Sequence, residues 1–293
     1  MKLAKYWVRE KGQALTADGK KFDLSVRGWS NESIDAAHAS ARDSIKRIAA
    51  MFQSGSVPKN HYLYGDRPLP EPILREFSNG AAGPLAAVTR NAYGAHVLNT
   101  RDLMFVDIDR EDTPPPGGAS SGLLSTVLSL FSKPAPAATP LPQNYQALHD
   151  IERVALDNRL VARVYKTAAG FRALIVNETF EAGSARSEAL MKQFASDPLY
   201  VRLCRIQNSF RARLTPKPWR CGCQMLRVKF PFDDPREEIL FQNWKSKYIA
   251  AASRYATCKY LASFGGARID PQFEELVAYH DEQTKATSGL PLA

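Results

Sequence analysis

Apolar and polar residues along this chain follow two periods, and together they predict a protein of helices and strands. Apolar residues are concentrated at 6–10 and 22–26 on either side of a polar turn, which predicts two short strands. At 34–52 apolar residues recur at three- and four-residue steps, and this is typical of an amphipathic helix. Ser30 or Asn31 is the expected N-cap of that helix.

The same reasoning extends the prediction to the rest of the chain. Residues 85–98 alternate with an interruption at Gly94 and predict a strand pair, and the apolar run 103–106 predicts a buried strand directly after it. The later segments predict, in order, a helix at 145–158, strands at 160–166 and 171–177, a helix at 184–194, an amphipathic helix at 237–262 and a closing helix near 271–280.

Residues 112–143 differ in composition from the segments around them. They are rich in proline, glycine and serine, which predicts a long, partly disordered insertion rather than a packed element. The expected fold class is therefore α+β, with a mixed or antiparallel sheet core, flanking helices and a helical C-terminal part. We expect residues 1–235 to form the core around the insertion and residues 236–293 to form a helical extension packed on it.

Composition narrows the classes of protein that remain. The chain has 293 residues, 44% of them apolar and 24% charged, as in ordinary globular proteins. No apolar run approaches the roughly 20 residues of a membrane span, and the first residues lack the apolar region of a signal peptide, so a cytoplasmic address is expected. Four cysteines in a chain of this length indicate reduced thiols rather than a disulfide framework.

The positive charge is concentrated in one segment. The net charge is +9, and between Asp197 and Asp233 the sequence has no acidic residue. Eight cations fall there: Arg202, Arg205, Arg211, Arg213, Lys217, Arg220, Arg227 and Lys229. Such a concentration favours binding of a polyanion over simple solvation of a surface.

Two acidic residues end the predicted buried strand at 103–106. In a strand, residues two apart project from the same face, which places Asp107 and Asp109 side by side, about 6–7 Å apart. A divalent cation between them would relieve their repulsion, and Mg²⁺ favours a few carboxylates together with water and phosphate oxygens. The pair therefore predicts a metal site.

Three classes of enzyme use such a pair at the end of a strand. Phosphatases of the haloacid dehalogenase type require Thr or Val two residues after the second aspartate, where this chain has Glu111. Sugar transferases with a DxD site require an N-terminal nucleotide-binding unit, which the pattern does not show. The third class is defined by a longer order of features.

The run LMFVDID, which contains Asp107 and Asp109, is followed by the predicted helix at 145–158 and then by VARVYKTAAGFRALIV. That order resembles the archaeo-eukaryotic primase superfamily, also called primase-polymerases, over about residues 95–220. In that family a hydrophobic strand ends in Asp-x-Asp, and a later hairpin carries Thr-x-x-Gly-x-His. Thr167 and the glycine match, and Arg172 stands where the family has histidine.

The resemblance implies an RRM-like sheet core, a nucleoside triphosphate and DNA or RNA as partners, and Mg²⁺ or Mn²⁺, with two metals possible in the site. Attack of a nucleic-acid 3′-hydroxyl on an α-phosphate would be the reaction. Asp107 and Asp109 would be catalytic and, with Asp197, would hold metal. The other expected site residues are cations, a threonine and a tryptophan: Lys166, Thr167, Arg172, Arg211, Arg213, Lys217 and Arg220 for the nucleotide, and Arg202, Arg205 and Trp219 for nucleic acid.

Two alternatives stay open at this point. The chain can be a catalytically inactive nucleotide- or nucleic-acid-binding protein of the same fold, because the expected histidine is an arginine. It can also be a metal-dependent phosphoesterase or nuclease. Trp219 has two interpretations of its own, either packing in the core or offering a stacking surface for a base.

Overall fold

A small N-terminal unit of two strands and a helix begins the fold. The computed structural model describes residues 1–55, 67–78, 83–109 and 146–293, so the predicted insertion at 112–143 lies outside the described residues. Within these ranges the unit comprises β1 (Tyr6–Leu15), β2 (Lys21–Ser30) and α1 (Ile34–Gln53). The helix is capped by Ser33, whose hydroxyl accepts a hydrogen bond from Ala36 N, and not by the earlier polar residues.

Two four-stranded sheets follow, and each pairing between their strands is antiparallel. The first sheet has the order β3 (Ile73–Ser78), β4 (Pro84–Arg90), β5 (His96–Thr100) and β9 (Phe210–Arg213). The second has the order β10 (Cys258–Phe264), β7 (Ala162–Thr167), β8 (Gly170–Ile175) and β6 (Met104–Asp109). In the second sheet β6 and β7 run parallel with β8 between them, so the crossover helix produces a split β-α-β arrangement.

The helices flank these sheets. Among the described residues they are α2 (Gln146–Asp157), α3 (Ala185–Gln193), α4 (Pro198–Gln207), α5 (Pro235–Ala252) and α6 (Pro271–Thr284), with one 3₁₀ turn at Pro218–Cys221. One large hydrophobic cluster takes side chains from both four-stranded sheets, including Leu98, Phe105, Phe171 and Phe210. The α+β class, with a sheet core and flanking helices, is therefore confirmed. Within the described residues, no helix has both the length and the apolar composition needed to span a bilayer.

One predicted element is wrong in its second half. The helix expected over 237–262 ends at Ala252, and residues 258–264 form β10 on the edge of the second sheet. There Tyr260 lies opposite Tyr165 of β7, and their rings make an edge-on contact with centroids 5.6 Å apart. Cross-strand aromatic pairing outweighs the helical spacing of the apolar residues in this segment. The C-terminal part is thus not purely helical.

The free edge of β6 explains how the second sheet joins its surroundings. As an edge strand, β6 turns the carbonyl groups of Phe105 and Asp107 away from β8, where they need other partners. The hydroxyl of Tyr200 on α4 lies 3.1 Å from Phe105 O. Asp107 O accepts hydrogen bonds from Asp197 N and from the hydroxyl of Ser196, both at 3.0 Å. The turn before α4 is therefore fixed beside the two aspartates.

Tyr200 also connects β6 to the first sheet. Its buried hydroxyl accepts a hydrogen bond from Arg211 N at 3.2 Å and lies 3.0 Å from Arg211 O on β9. One hydroxyl group thus joins the edges of the two four-stranded sheets.

We expect Tyr200→Phe to lower the free energy of unfolding by about 1–3 kcal/mol, because buried backbone groups of two strands would lose their shared partner. Urea denaturation followed by circular dichroism measures the change. Tyr93→Phe is the matched control, since Tyr93 is exposed and its loss of a hydroxyl should cost less than about 0.5 kcal/mol. Equal changes in both variants would contradict the connecting role of Tyr200.

Candidate metal and phosphate site

Asp107 and Asp109 project from the same face at the end of β6, as predicted. Asp107 is half-buried and Asp109 is exposed, while Ile108 between them is buried on the opposite side. Neither carboxylate accepts a hydrogen bond or forms an ion pair with a residue that the structure describes. Two adjacent acids without protein partners are available to a ligand.

Asp197, the predicted third acid, is brought close to this pair by the hydrogen bonds to Asp107 O. It is the N-cap of α4, and its Oδ1 accepts a hydrogen bond from Leu199 N at 3.0 Å. Its charge contributes to raising the pKa of Asp109. One oxygen of its carboxylate is thus used to cap α4. Asp197 affects the acid pair through its charge.

Partial burial and the nearby charges shift the pKa of Asp109. Partial burial raises its pKa, the negative charges of Asp107 and Asp197 raise it further, and Lys217 and Arg213 oppose the rise. A raised carboxyl pKa of this kind is expected where several carboxylates lie close together before a cation binds between them.

The donor set fits a hard divalent cation in part. Two carboxylates two residues apart are suitable ligands for Mg²⁺ or Mn²⁺ when water and substrate phosphates complete the shell. However, among the described residues no three His, Cys, Asp or Glu side chains form a group that could hold a metal. Asp107 and Asp109 are therefore the residues that would hold the ion, without Asp197 as a third ligand.

Two cations of the basic segment, Arg213 and Lys217, lie near the acid pair, and Arg220 lies near these two cations. Arg213 ends β9, Lys217 lies in the following turn, and Arg220 lies in the 3₁₀ turn. Burial lowers the pKa of Lys217, Arg213 and Arg220 lower it further, and Asp109 and Asp107 raise it. None of the three cations forms an ion pair with a described residue. Positive and negative groups thus lie near each other without neutralising each other.

Arg213 is the most confined of these cations. Burial lowers its pKa to about 10, with Arg172 and Arg220 lowering it and Asp107 raising it. Its Nε is buried and has no hydrogen-bond partner among the residues that the structure describes. A buried donor without a partner is costly, and an anion at the site would satisfy it.

Arg172 lies directly opposite Asp107 across the β6–β8 pair, on the same face of the sheet. Its guanidinium is buried and donates hydrogen bonds to Arg213 O at 3.0 Å and to His280 Nε2 at 3.3 Å. Because Arg172 can only donate, His280 Nε2 must accept, which leaves the His280 Nδ1 proton for Asp281 Oδ1 at 3.0 Å. Burial lowers the pKa of His280 to about 4, in agreement with a neutral ring. The structure commits Arg172 to joining the two sheets.

Arg211 is likewise committed to internal contacts. It shares a face of β9 with Arg213, as predicted, but its guanidinium is buried and pairs with both oxygens of Glu71, at 2.8 and 2.9 Å. It also donates to Asn99 Oδ1 at 2.6 Å. Truncating one partner of such a buried pair costs about 3–5 kcal/mol, so Arg211 stabilises the first sheet and is not placed to bind a nucleotide.

The two predicted residues of the β7–β8 hairpin lie apart from the acids. Lys166 is opposite Phe171, which is opposite Ile108, so Lys166 projects to the face away from Asp107 and Asp109. Thr167 is on the same face as the acids but is buried, and its hydroxyl accepts a hydrogen bond from Ala169 N within the turn. The structure brings neither side chain to the acid pair.

The remaining predicted nucleic-acid contacts lie on the surface of α4. Arg202 and Arg205 are exposed and three residues apart on that helix. Arg205 forms an ion pair with Glu188 of α3, with its Nη1 3.5 Å from Glu188 Oε1. Arg202 has no ion pair among the described residues. Both cations lie at the surface, Arg205 in that exposed ion pair, and their role stays a prediction.

Trp219 proves to be a surface residue and has an aromatic neighbour that sequence reasoning missed. The side chain of Trp219 is 45% exposed, and Tyr93, from the β4–β5 turn, is 42% exposed. Their rings meet edge-on with centroids 5.3 Å apart, and the Lys217 ammonium lies 5.5 Å from the Trp219 ring centre. The two aromatics come from distant parts of the sequence and form an exposed surface beside the cations. The one sequence signal that could have indicated Tyr93 as a site residue is an aromatic residue in a turn, where side chains are usually exposed.

Comparison with known protein families, with curated proteins and with solved structures finds no match for this chain.

We expect Asp109→Asn to stabilise the protein slightly at pH 7. The folded-state pKa of Asp109 is raised, so its favourable contribution exists when it is protonated and is lost as the pH rises through that pKa. The gain in the free energy of unfolding should stay below about 1 kcal/mol, because Asp109 is exposed and screened, and it should vanish below the ordinary pKa of aspartate. Denaturant unfolding between pH 3 and 8 measures it. An equal gain in Asp43→Asn, an exposed aspartate on α1, would contradict this cause.

Proposed function

We propose that this chain binds a nucleoside triphosphate as its Mg²⁺ or Mn²⁺ complex in association with nucleic acid, as a nucleotidyltransferase-like protein of the primase-polymerase type. Asp107 and Asp109 hold the metal. Arg213, Lys217 and Arg220 receive the phosphates, and the surface formed by Tyr93 and Trp219 receives a base. The proposed setting is the cytoplasm, where triphosphates and nucleic acids are both present.

The observation that carries this proposal is the unneutralised charge at the site. Asp107 and Asp109 interact electrostatically with Arg213 and Lys217, and Arg220 interacts with these two cations, yet none of the five side chains forms an ion pair with a described residue. A metal–triphosphate complex supplies the matching arrangement, with a cation for the acids and phosphate oxygens for the basic groups. A site built for a bare metal would not need the cations, and a site for a bare anion would not need the acids.

If the site catalyses transfer, Asp107 and Asp109 would hold the metals, which would stabilise charge on the attacking 3′-oxygen and on the leaving pyrophosphate. One observation favours the second candidate, a binding protein without catalysis. Arg172 occupies the position of the family's histidine, and its guanidinium is used in bonds to Arg213 O and His280. The residue therefore contributes to the scaffold instead of reaching the nucleotide.

The metal assignment predicts a particular pattern of nucleotide binding. We expect Asp107→Asn to weaken binding of ATP by at least about 10-fold in Mg²⁺, since a metal–carboxylate contact is lost, and to leave binding in EDTA unchanged. Lys217→Gln should weaken binding in both conditions, because it removes a phosphate contact. Isothermal titration calorimetry measures these affinities. Asp43→Asn and Lys46→Gln on α1 are the matched controls.

The same preparations separate the candidate functions. Incorporation of nucleotide on a primed or unprimed template with Mg²⁺ or Mn²⁺, lost in Asp107→Asn, would establish transfer. Metal-dependent ATP binding without incorporation would establish the binding protein, and metal-dependent cleavage of a labelled strand would establish the phosphoesterase. Identical ATP binding by the wild type and Asp107→Asn in Mg²⁺ would reject the site.

The aromatic surface predicts a contribution to nucleic-acid binding that does not depend on charge. Trp219→Ala should weaken binding of a single-stranded oligonucleotide by about 1–3 kcal/mol through the loss of base stacking, and Trp219→Phe should recover most of it. The dependence of affinity on salt should stay unchanged, because no phosphate contact is removed. Fluorescence anisotropy across a range of salt concentrations measures both. A core role would instead appear as a loss of stability in Trp219→Ala with unchanged affinity.

A further inference from the structure

A second concentration of cations lies on the N-terminal unit. In the β1–β2 hairpin, Val8 and Gly28 are paired and face α1, where they pack against Ala37 and Ala41. Neighbouring residues in a strand project to the opposite face. Arg9, which is paired directly with Arg27, therefore projects away from α1.

This face of the hairpin forms one wall of a pocket of about 310 Å³. The segment before α5 and the first turn of that helix form the other walls. Its lining carries four cations, one hydroxyl and one acid: Arg9, Arg27, Arg227, Lys229, Ser25 and Glu237.

Backbone contacts hold the two arginines of the hairpin in place. Arg9 Nη2 donates a hydrogen bond to Lys229 O at 2.7 Å, and Arg9 Nη1 donates to Asp233 Oδ2 at 2.9 Å. Arg27 Nε donates to Phe230 O at 3.1 Å. Like charges directly opposite each other on two strands destabilise a hairpin. The contacts above hold both guanidinium groups at one pocket. The positive charge of the lining therefore exceeds the negative charge of the one aspartate and one glutamate beside it.

Arg227 and Lys229 extend this charge to the open side of the pocket. Both are exposed, and neither side chain has a hydrogen bond or ion pair with a described residue. Their side chains can therefore move to contact a ligand, while the guanidinium groups of Arg9 and Arg27 are already held in position at the pocket.

We propose that this pocket binds a phosphate group of a nucleic-acid backbone and is a second anchor for the strand, separate from the acid pair. Guanidinium and ammonium groups beside a hydroxyl form the donor set that phosphate oxygens accept from. The two carboxylates beside this pocket, Asp233 and Glu237, are both paired with Arg9, so they are not left to bind a metal. The identity of the partner rests on the proposed function, whereas the anion site rests on the pocket alone.

The test uses a fluorescein-labelled single-stranded DNA of about 20 nucleotides and the full chain in EDTA, so that no metal can act through Asp107 and Asp109. Arg227→Gln with Lys229→Gln should weaken binding about 10-fold at 0.1 M salt, and it should reduce the slope of log affinity against log salt by about 1.4, for two phosphate contacts. Lys46→Gln with Arg47→Gln is the matched control, because it makes the same charge change on exposed residues of α1, across the hairpin.

Each outcome decides the proposal. A loss confined to the pocket variant supports it, whereas equal losses in both variants, or none in either, overturn it. Inorganic phosphate at 10 mM should compete with the oligonucleotide no better than sodium chloride of equal ionic strength; strong competition would assign the pocket to a free anion and overturn the backbone role. The Arg227→Gln and Lys229→Gln variant should bind ATP in Mg²⁺ as the wild type does, because neither residue belongs to the nucleotide site, and this keeps the test separate from that of the proposed function.

Discussion

The free edge of β6 is the constraint on which the candidate site depends. An edge strand leaves carbonyl groups unpaired, and burial makes each unpaired group expensive. Here the hydroxyl of Tyr200 and the turn at Ser196 and Asp197 satisfy the carbonyls of Phe105 and Asp107. The same bonds bring a third acid beside two others and bring β9, with its cations, to the end of β6. Backbone hydrogen bonding thus determines where the charges meet.

That meeting of charges works against stability. Burial and the charges of Asp107 and Asp197 raise the pKa of Asp109 in spite of the nearby cations, and the Nε of Arg213 is buried without a partner among the described residues. A stable scaffold would place an acid against each cation, as it does for Arg211 and Glu71. Two arginines on one face of the same short strand therefore differ in their surroundings. Arg211 is neutralised by Glu71, whereas Arg213 has no ion pair with a described residue. Sites that keep such costs are typically functional.

The sequence predicted the strand that carries Asp107 and Asp109, because period-two projection and a buried apolar run are local properties. It also predicted that Arg211 and Arg213 share a face, but it could not separate their roles, since Glu71 is 140 residues away in the chain. Tyr93 was missed because its contact with Trp219 joins two turns that lie far apart in the sequence. The strand β10 was missed because its residues continue a helical spacing, and only the pairing with β7 decides their conformation.

Arg172 shows how a buried cation can support the candidate site through the backbone. Its guanidinium has several donors in one plane and reaches both Arg213 O and His280. The bond to Arg213 O crosses from the second sheet to the first, and the neutral ring of His280 accepts a further donor without adding charge. Arg172 therefore fixes the backbone that presents Arg213. Its contribution to the candidate site is indirect and acts through this backbone contact.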